Sequence, residues 1–215
     1  MPMRDILLQI DTYPEATPPE AIDQAVRFTA AAGGVLSALA VEVDIQAPKN
    51  WLADHLIGLS HMAAEEERTS RQFCTAALQN FTSKAGDAGI LGEVIHGKAD
   101  LYAVGAYVAE RARTRDLCIV PVADHADGQR SIIEAVAFGS GRPVLTYRLG
   151  VADLPLAGLG SIVIAWDGSR TAARAMADAL PFLRVAREVR VITVINEKPS
   201  ARAGLGKEGV RHLAA

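Results

Sequence analysis

The sequence predicts an α/β fold, a doubly wound parallel sheet with helices packed on both faces. Short apolar segments alternate with amphipathic helical segments along most of the chain, which is the pattern of strand-helix-strand units. Half of the 215 residues are hydrophobic, whereas only 5% are aromatic. A core built from Ala, Val, Leu and Ile suits helices on a buried parallel sheet better than a sandwich.

A strand closed by an aspartate and followed by a helix occurs twice. The clearer copy is residues 161–183, SIVIAWDGSRTAARAMADALPFL, and a weaker copy begins at residues 4–11, RDILLQID. We therefore predict a complete first domain at 1–148, a linker at 149–160 and a partial second copy at 161–215. Because two strands cannot bury both faces of a parallel sheet, we favour a truncated second copy over an edge that another surface covers.

The first strand, helix and second strand follow from local signals. Residues 4–10 are an apolar run and predict the first strand. Pro19 suits the first position of a helix over 19–32, because its missing N–H has no intrahelical partner there. The pair Gly33-Gly34 ends that helix, and the apolar run 35–43 predicts the second strand.

The rest of the first domain continues the alternation. A helical pattern extends from about residue 61 to 84, and a short third strand is predicted at 93–96. Asp100 is placed to cap a helix that ends near residue 114. The fully apolar segment LCIVPV, 117–122, predicts the fourth strand; a helix over 127–138 and a fifth strand at 143–148, PVLTYR, follow.

The second copy is shorter. Residues 149–160 are rich in Gly, Pro and Ala, which is typical of a linker. We then expect a strand at 161–166, a helix at 169–183, a strand at 188–196 and a last helical turn or two near 209–215. The segment Gly204-Leu205-Gly206-Lys207 lacks the spacing of a phosphate-binding loop and is interpreted as a flexible connector.

Composition and charge exclude several classes of protein. A net charge of −3 gives no general attraction to nucleic acid, and no apolar run approaches the roughly 20 residues of a membrane span. The N-terminus enters a strand directly and has no small-residue cleavage site, so we predict no signal peptide. Cys74 and Cys118 are expected to be buried free thiols, consistent with a cytoplasmic location.

Two aspartates mark the candidate ligand site. In an open doubly wound sheet, ligands bind at the carboxyl ends of the strands where the strand order reverses. Asp11 and Asp167 follow the first strand of each copy, and a carboxylate there can accept hydrogen bonds from a ribose or an exocyclic amine. Asp167 could equally cap the next helix, and for Ser169 capping is the preferred interpretation.

The motif IVIAWDGSRTAARAMADALPFL, followed by VRVITVINE, and the fifth-strand segment GRPVLTYR together resemble the universal stress protein family. The chain resembles the tandem bacterial form, with a complete first repeat and about a third of the second. The resemblance implies a cytoplasmic stress-response protein that is usually dimeric. It also implies a Rossmann-like sheet of order 3-2-1-4-5, similar to that of the adenine nucleotide hydrolases.

Many members of that family bind ATP, which adds a set of expected contacts. The first-strand aspartate and a second-strand backbone group hold the adenosine. Carried over by position, these are Asp167 and Val194 in the second copy, and Asp11 and Val41 in the first. The cofactor implied is ATP or another adenine nucleotide.

The phosphate side of the first copy departs from the family pattern G-x2-G-x9-G-[S/T]. The fourth strand is followed by residues 123–127, ADHAD, and by Gly128 without a second glycine at the required spacing. Asp124 and Asp127 would repel phosphate, so we predict that this copy does not bind ATP in the usual way. The same loop of the second copy would lie beyond residue 215.

Three functions remain open from the sequence. The first is a non-enzymatic stress-response module that binds an adenine nucleotide through its second domain when that domain is complete. The alternative is a nucleotide-independent scaffold that forms a homodimer through the fifth-strand edge, 143–148. A weak ATPase is the third, although no general base is evident for it. Asp124, His125 and Asp127 are better explained as loop and capping residues than as metal ligands, so no metal is predicted.

Overall fold

A computed structural model describes residues 3–46, 59–122, 127–148, 160–195 and 204–214. The chain divides into two compact units, a larger one of Met3–Asp153 and a smaller one that comprises Leu154–Ala215. The predicted linker lies almost entirely outside the described residues, which resume at Gly160.

The larger unit is a five-stranded parallel sheet of order β3-β2-β1-β4-β5. Its elements are β1 (Asp5–Ile10), α1 (Pro19–Ala32), β2 (Val35–Asp44), α2 (Leu59–Asp87), β3 (Leu91–Asp100), α3 (Val104–Ala112), β4 (Leu117–Val122), α4 (Asp127–Gly139) and β5 (Val144–Arg148). Helix α1 lies against α2, and α3 lies against α4. The predicted fold class and strand order are confirmed.

The core lies on both sides of the central strand β1. Ile6, Leu7 and Leu8 of that strand are completely buried, as expected for a strand with helices on both faces. Leu39 of β2 is equally buried and belongs to the same hydrophobic cluster as Leu7. The apolar runs in the sequence therefore identify the central strands correctly.

Local signals place α1 as predicted. Pro19 occupies the first turn, and Gly33 ends the helix in the left-handed conformation at φ 66°. Asp100 also caps as predicted, because its Oδ1 accepts a hydrogen bond from the Tyr102 N–H at 2.9 Å. The element that it caps is different, since a 3₁₀ turn, Leu101–Ala103, precedes α3.

Strand β3 is much longer than the sequence predicts. It pairs with β2 as far as Asp44 opposite Asp100, whereas only residues 93–96 were expected to be extended. Its sequence, LGEVIHGKAD, is mostly exposed or half-buried because the strand lies at the edge of the sheet. Backbone pairing, and not an apolar pattern, therefore sets its length.

The smaller unit contains β6 (Ser161–Ala165), α5 (Arg170–Leu183), β7 (Glu188–Ile192) and α6 (Leu205–Leu213), with β6 and β7 paired in parallel. Strand β7 ends earlier than predicted, and α6 begins earlier. The flexible-connector interpretation of residues 204–207 is wrong because Leu205 is buried and starts a helix.

Both cysteines are buried free thiols, as predicted. Burial raises the pKa of the Cys74 thiol to about 11 and that of the Cys118 thiol to about 12. Because the thiolate is the nucleophile, we expect both thiols to react slowly at neutral pH. Within the described ranges, every helix is too short or too polar to cross a membrane.

Candidate functional site

A cavity of about 320 Å³ opens at the carboxyl ends of β1, β2 and β4 in the larger unit. Strand order reverses there, between β1 and β4, so this is the position at which an open α/β sheet binds ligands. Asp11 and Val41, which the sequence predicts as site residues of the first copy, both line this cavity. The structure therefore brings the two predicted residues together.

The Asp11 carboxylate accepts hydrogen bonds from two side-chain amides. Its Oδ1 accepts from Gln9 Nε2 and its Oδ2 accepts from Gln129 Nε2 of α4, both at 2.8 Å. Asp11 is only 8% exposed. Burial raises the pKa of Asp11, and the two amide hydrogen bonds lower that pKa by a smaller amount.

The loop that follows β1 is closed by reciprocal hydrogen bonds. Asp11 N–H donates to Thr17 Oγ1 at 2.7 Å, and Thr17 N–H donates to the Asp11 carbonyl at 3.0 Å. Thr12 and Ala16 form an isolated bridge inside this closure. The loop therefore holds Asp11 and Thr12 in fixed positions at the mouth of the cavity.

The backbone of β2 beyond the end of β1 is already hydrogen-bonded to side chains. The Val43 N–H donates to Ser70 Oγ of α2 at 3.1 Å, and the Thr12 hydroxyl donates to the Val41 carbonyl at 2.6 Å. The two hydroxyl oxygens are 2.8 Å apart. Because the Thr12 hydroxyl donates its proton to Val41, Ser70 must be the donor to Thr12. The direction of all three hydrogen bonds is therefore fixed.

This chain, which we call the hydroxyl relay (Val43, Ser70, Thr12 and Val41), affects the nucleotide prediction directly. Val41 was expected to offer a backbone group to adenosine, yet its carbonyl has a short hydrogen bond to Thr12. Ser70 is completely buried and Thr12 is 4% exposed. An adenine base that formed hydrogen bonds with the backbone of Val41 or Val43 would have to compete with the hydroxyl relay or displace it.

Replacement of Asp11 by asparagine is expected to change how stability depends on pH. Because the native pKa of Asp11 is raised above its ordinary value of 3.8, the contribution of Asp11 to stability is fully present below that pH. This contribution is lost as the pH rises through the native pKa. Asparagine does not titrate, so Asp11→Asn should lack this pH-dependent loss. Urea unfolding of both proteins at pH 4 to 8 measures the difference in their free energies of unfolding. A constant difference across that range would contradict the shift.

The second predicted pair, Asp167 and Val194, lies in the smaller unit. Asp167 Oδ1 accepts from the Ser169 N–H at 2.9 Å, and Ser169 Oγ accepts from the Ala172 N–H at 3.1 Å. Ser169 is therefore the N-cap of α5, as predicted. Val194 follows β7 and is 64% exposed.

Helix α6 adjoins the acidic turn of the smaller unit. A Cβ built on Gly168 would lie 3.1 Å from the Leu205 side chain, and Gly168 has φ +72°. Leu205 therefore packs directly against the turn between Asp167 and Ser169. The sequence motif marks this turn, but it does not reveal that an apolar residue of α6 covers one side of it.

The segment after β4, where the sequence departs from the phosphate-binding pattern, is mostly outside the described residues. Residues 123–126, which include Asp124 and His125, lie outside the described residues, as does the side chain of Asp127. Among the residues that the structure does describe, no three His, Cys, Asp or Glu side chains are grouped closely enough to hold a metal ion.

Four residues of the site were not predicted from the sequence: Gln9, Gln129, Thr12 and Ser70. One signal was present, because Gln9 is the single amide in the apolar segment DILLQI and such a residue in a central strand needs a polar partner. Ser70 gives no comparable signal. Its partner Thr12 is 58 residues away in the chain, and helical periodicity does not predict such a contact.

A second polar group, on β2, β3 and α2, was also not predicted. The Glu42 carboxylate is 7% exposed and accepts from Arg71 Nε and Nη2 at 3.1 and 2.7 Å. His96 Nε2 lies 3.5 Å from the same carboxylate. The hydrogen bonds from Arg71 lower the pKa of Glu42, so this ion pair stabilises the fold above the ordinary pKa of 4.5 and weakens as the pH falls.

No family model matches the sequence, and no curated protein matches it either. Among solved structures, the chain is similar to a universal stress protein from Archaeoglobus fulgidus DSM 4304. The TM-score is 0.55 at 15% identity, over 96% of this chain and 72% of that one. A universal stress protein in complex with cAMP aligns with a TM-score of 0.38 at 17% identity, over 67% of this chain and 98% of that one. The likeness to the Archaeoglobus fulgidus protein shows that the two chains share a fold.

Proposed function

We propose that this chain is a non-enzymatic stress-response module of the universal stress protein family, in its tandem form. The observation that carries the proposal is the complete sheet of order β3-β2-β1-β4-β5 with Asp11 and Val41 side by side at its carboxyl end. The second strand-aspartate-helix opening, at Ser161–Ala165 and Arg170–Leu183, supports a tandem arrangement. We place the first domain at 1–148 and the second copy at 161–215.

Adenine-nucleotide binding, in this proposal, belongs to the second copy and depends on Asp167 and Val194. Two observations argue against ATP in the first. The hydroxyl relay already uses the Val41 carbonyl and the Val43 N–H. The described residues around the cavity include Asp11 and Glu15 but no Lys, Arg or His, so none of them offers a positive charge to phosphate.

Calorimetry with ATP and AMP tests this assignment. The present chain and a form that carries all five strands of the second copy are titrated side by side, each also as its Asp11→Asn and Asp167→Asn variants. We expect binding only by the longer form, with loss in Asp167→Asn and retention in Asp11→Asn. Tight ATP binding by the present chain that Asp11→Asn abolishes would contradict the proposal.

A nucleotide-independent scaffold that forms a homodimer is the second candidate, and strand β5 favours it. In the described sheet, β5 is at the edge and pairs only with β4. The Cys118 N–H donates to the Pro143 carbonyl at 3.1 Å. Since backbone groups alternate in direction along a strand, those of Thr146 point away from β4. They are available to a second copy of the strand.

Replacement of Thr146 by proline tests that edge. Proline removes the outward N–H without removing a bond to β4, so we expect the dimer to dissociate. Thr146→Val keeps the N–H and serves as the matched control, with the dimer retained. Light scattering over a range of concentrations measures both, and a wild-type protein that is monomeric at high concentration would contradict the scaffold function.

A further inference from the structure

We infer that the cavity of the larger unit is a binding site for a small organic cation, a protonated amine carried on an apolar body. The site consists of the Asp11 carboxylate, the Gln9 amide and apolar walls from β1, β2, β4, α3 and α4. This inference goes beyond the proposed stress-response function and does not depend on nucleotide binding by either copy.

The charge of the cavity is the first argument. Among the described residues that line it, Asp11 and Glu15 are acidic and none is basic. Tyr13 is the other titratable group among these residues. An anionic ligand would therefore meet a buried carboxylate without a compensating positive charge, which is costly in a site of low dielectric. A cationic ligand would supply the positive charge that compensates the Asp11 carboxylate.

An unpartnered buried acceptor is the second, independent argument. Gln9 is 1% exposed and lines the cavity, and its Oε1 has no hydrogen-bond partner among the described residues. Its Nε2 is already committed to Asp11. A buried amide oxygen without a donor is unfavourable, so an N–H group of a ligand that reaches this atom would satisfy it.

The Asp11 carboxylate has further acceptor capacity in the same place. Each of its oxygens accepts one amide hydrogen bond, whereas an ionised carboxylate has about four acceptor positions. The site therefore combines the unpartnered Gln9 Oε1 with unused lone pairs of Asp11. An alkylammonium group, with three N–H donors and no acceptor, matches that set.

The walls and the volume determine the rest of the ligand. The apolar side chains around the site include Ile10, Val41, Leu101, Val104, Val122 and Ile132. The volume, about 320 Å³, lies near the lower end of the roughly 300–1,000 Å³ that is common for small-molecule sites. We therefore expect a compact apolar body, such as one aromatic ring, with the ammonium group directed at Asp11.

Ionisation of Asp11 is consistent with this assignment. Burial raises the pKa of Asp11 in the free protein, and a cation held against the carboxylate would favour the ionised form. Binding of an amine would therefore release a proton where Asp11 is still protonated. Calorimetry in buffers of different ionisation enthalpy measures that release.

Three compounds of the same shape test the inference on the present chain. Phenethylamine is the cationic probe, 2-phenylethanol the neutral one and 3-phenylpropionate the anionic one, each titrated by calorimetry at pH 7. We expect one amine to bind per chain, about tenfold or more tightly than the alcohol, because a charge-assisted hydrogen bond replaces a neutral one. The anionic probe, 3-phenylpropionate, is expected not to bind.

Variants assign the binding to the site. Asp11→Asn is expected to remove the preference for the amine over the alcohol, and Gln9→Leu to weaken amine binding by removing Oε1. Glu134→Gln removes a carboxylate that forms an exposed ion pair with Arg130 on α4, and it should leave amine binding unchanged. If Asp11→Asn fails to fold, Gln9→Leu carries the test.

Several results would overturn the inference. These are an amine that binds no better than the alcohol, no amine binding at millimolar concentration, and amine binding that survives both Asp11→Asn and Gln9→Leu. None of these outcomes affects the nucleotide titrations, so failure of this inference and failure of the proposed function are distinguishable.

Discussion

Replacement of Leu39 by alanine is expected to lower the free energy of unfolding of the larger unit by about 2–5 kcal/mol. Leu39 is completely buried in β2 and packs in one cluster with Leu7 of β1, Cys118 of β4 and Val108 of α3. The substitution removes buried methyl groups and leaves a cavity where the sheet meets the α3 and α4 layer. Chemical denaturation followed by far-UV circular dichroism measures the loss.

Val35→Ala is the matched control for Leu39→Ala. Val35 is on the same strand but 46% exposed, so its truncation should change the free energy of unfolding by no more than about 0.5 kcal/mol. Equal losses for the two variants would show that the core is not organised around β2 as described.

Replacement of Ser70 by alanine is expected to cost about 1–3 kcal/mol of unfolding free energy. Alanine cannot accept the Val43 N–H, and it removes the donor to Thr12. Because Ser70 is completely buried, water does not replace these partners without rearrangement. The Val43 N–H is then left without its partner in the interior, and the Thr12 oxygen loses the hydrogen bond that it accepts.

Ser83→Ala on the same helix separates this effect from helix propensity. Ser83 is exposed on α2, so its replacement should leave stability unchanged or slightly higher. Denaturation of both variants, with amide hydrogen exchange at Val43, measures the difference. Normal protection of the Val43 amide in Ser70→Ala would contradict the relay.

The sequence predicts the central part of the fold because that part depends on local patterns. The apolar runs at β1 and β4 and the proline and glycine limits of α1 are local signals, and all are confirmed. Strand β3 and helix α6 depend on tertiary contacts. The first is extended by pairing with β2, and the second begins where Leu205 packs on Gly168.

The candidate site is only partly predictable for the same reason. The end of an apolar strand marks Asp11, and parallel topology brings it beside Val41. Position along the chain does not reveal that the side chains of Thr12 and Ser70, 58 residues apart, form hydrogen bonds with each other and with the backbone of β2. Nor does it reveal that Gln9 lies in the core with an unpartnered oxygen.

The hydroxyl relay is expected to keep adenine nucleotides from the backbone of β2 in the larger unit, and this is the central claim to test. The most direct measurement is an NMR titration of the chain with ATP, followed at the backbone amides of Asp11, Thr12 and Val43. We predict that these three resonances stay unchanged while ATP is in large excess. Saturable shifts of all three amides, lost in Asp11→Asn, would show that ATP enters this cavity and would contradict the claim.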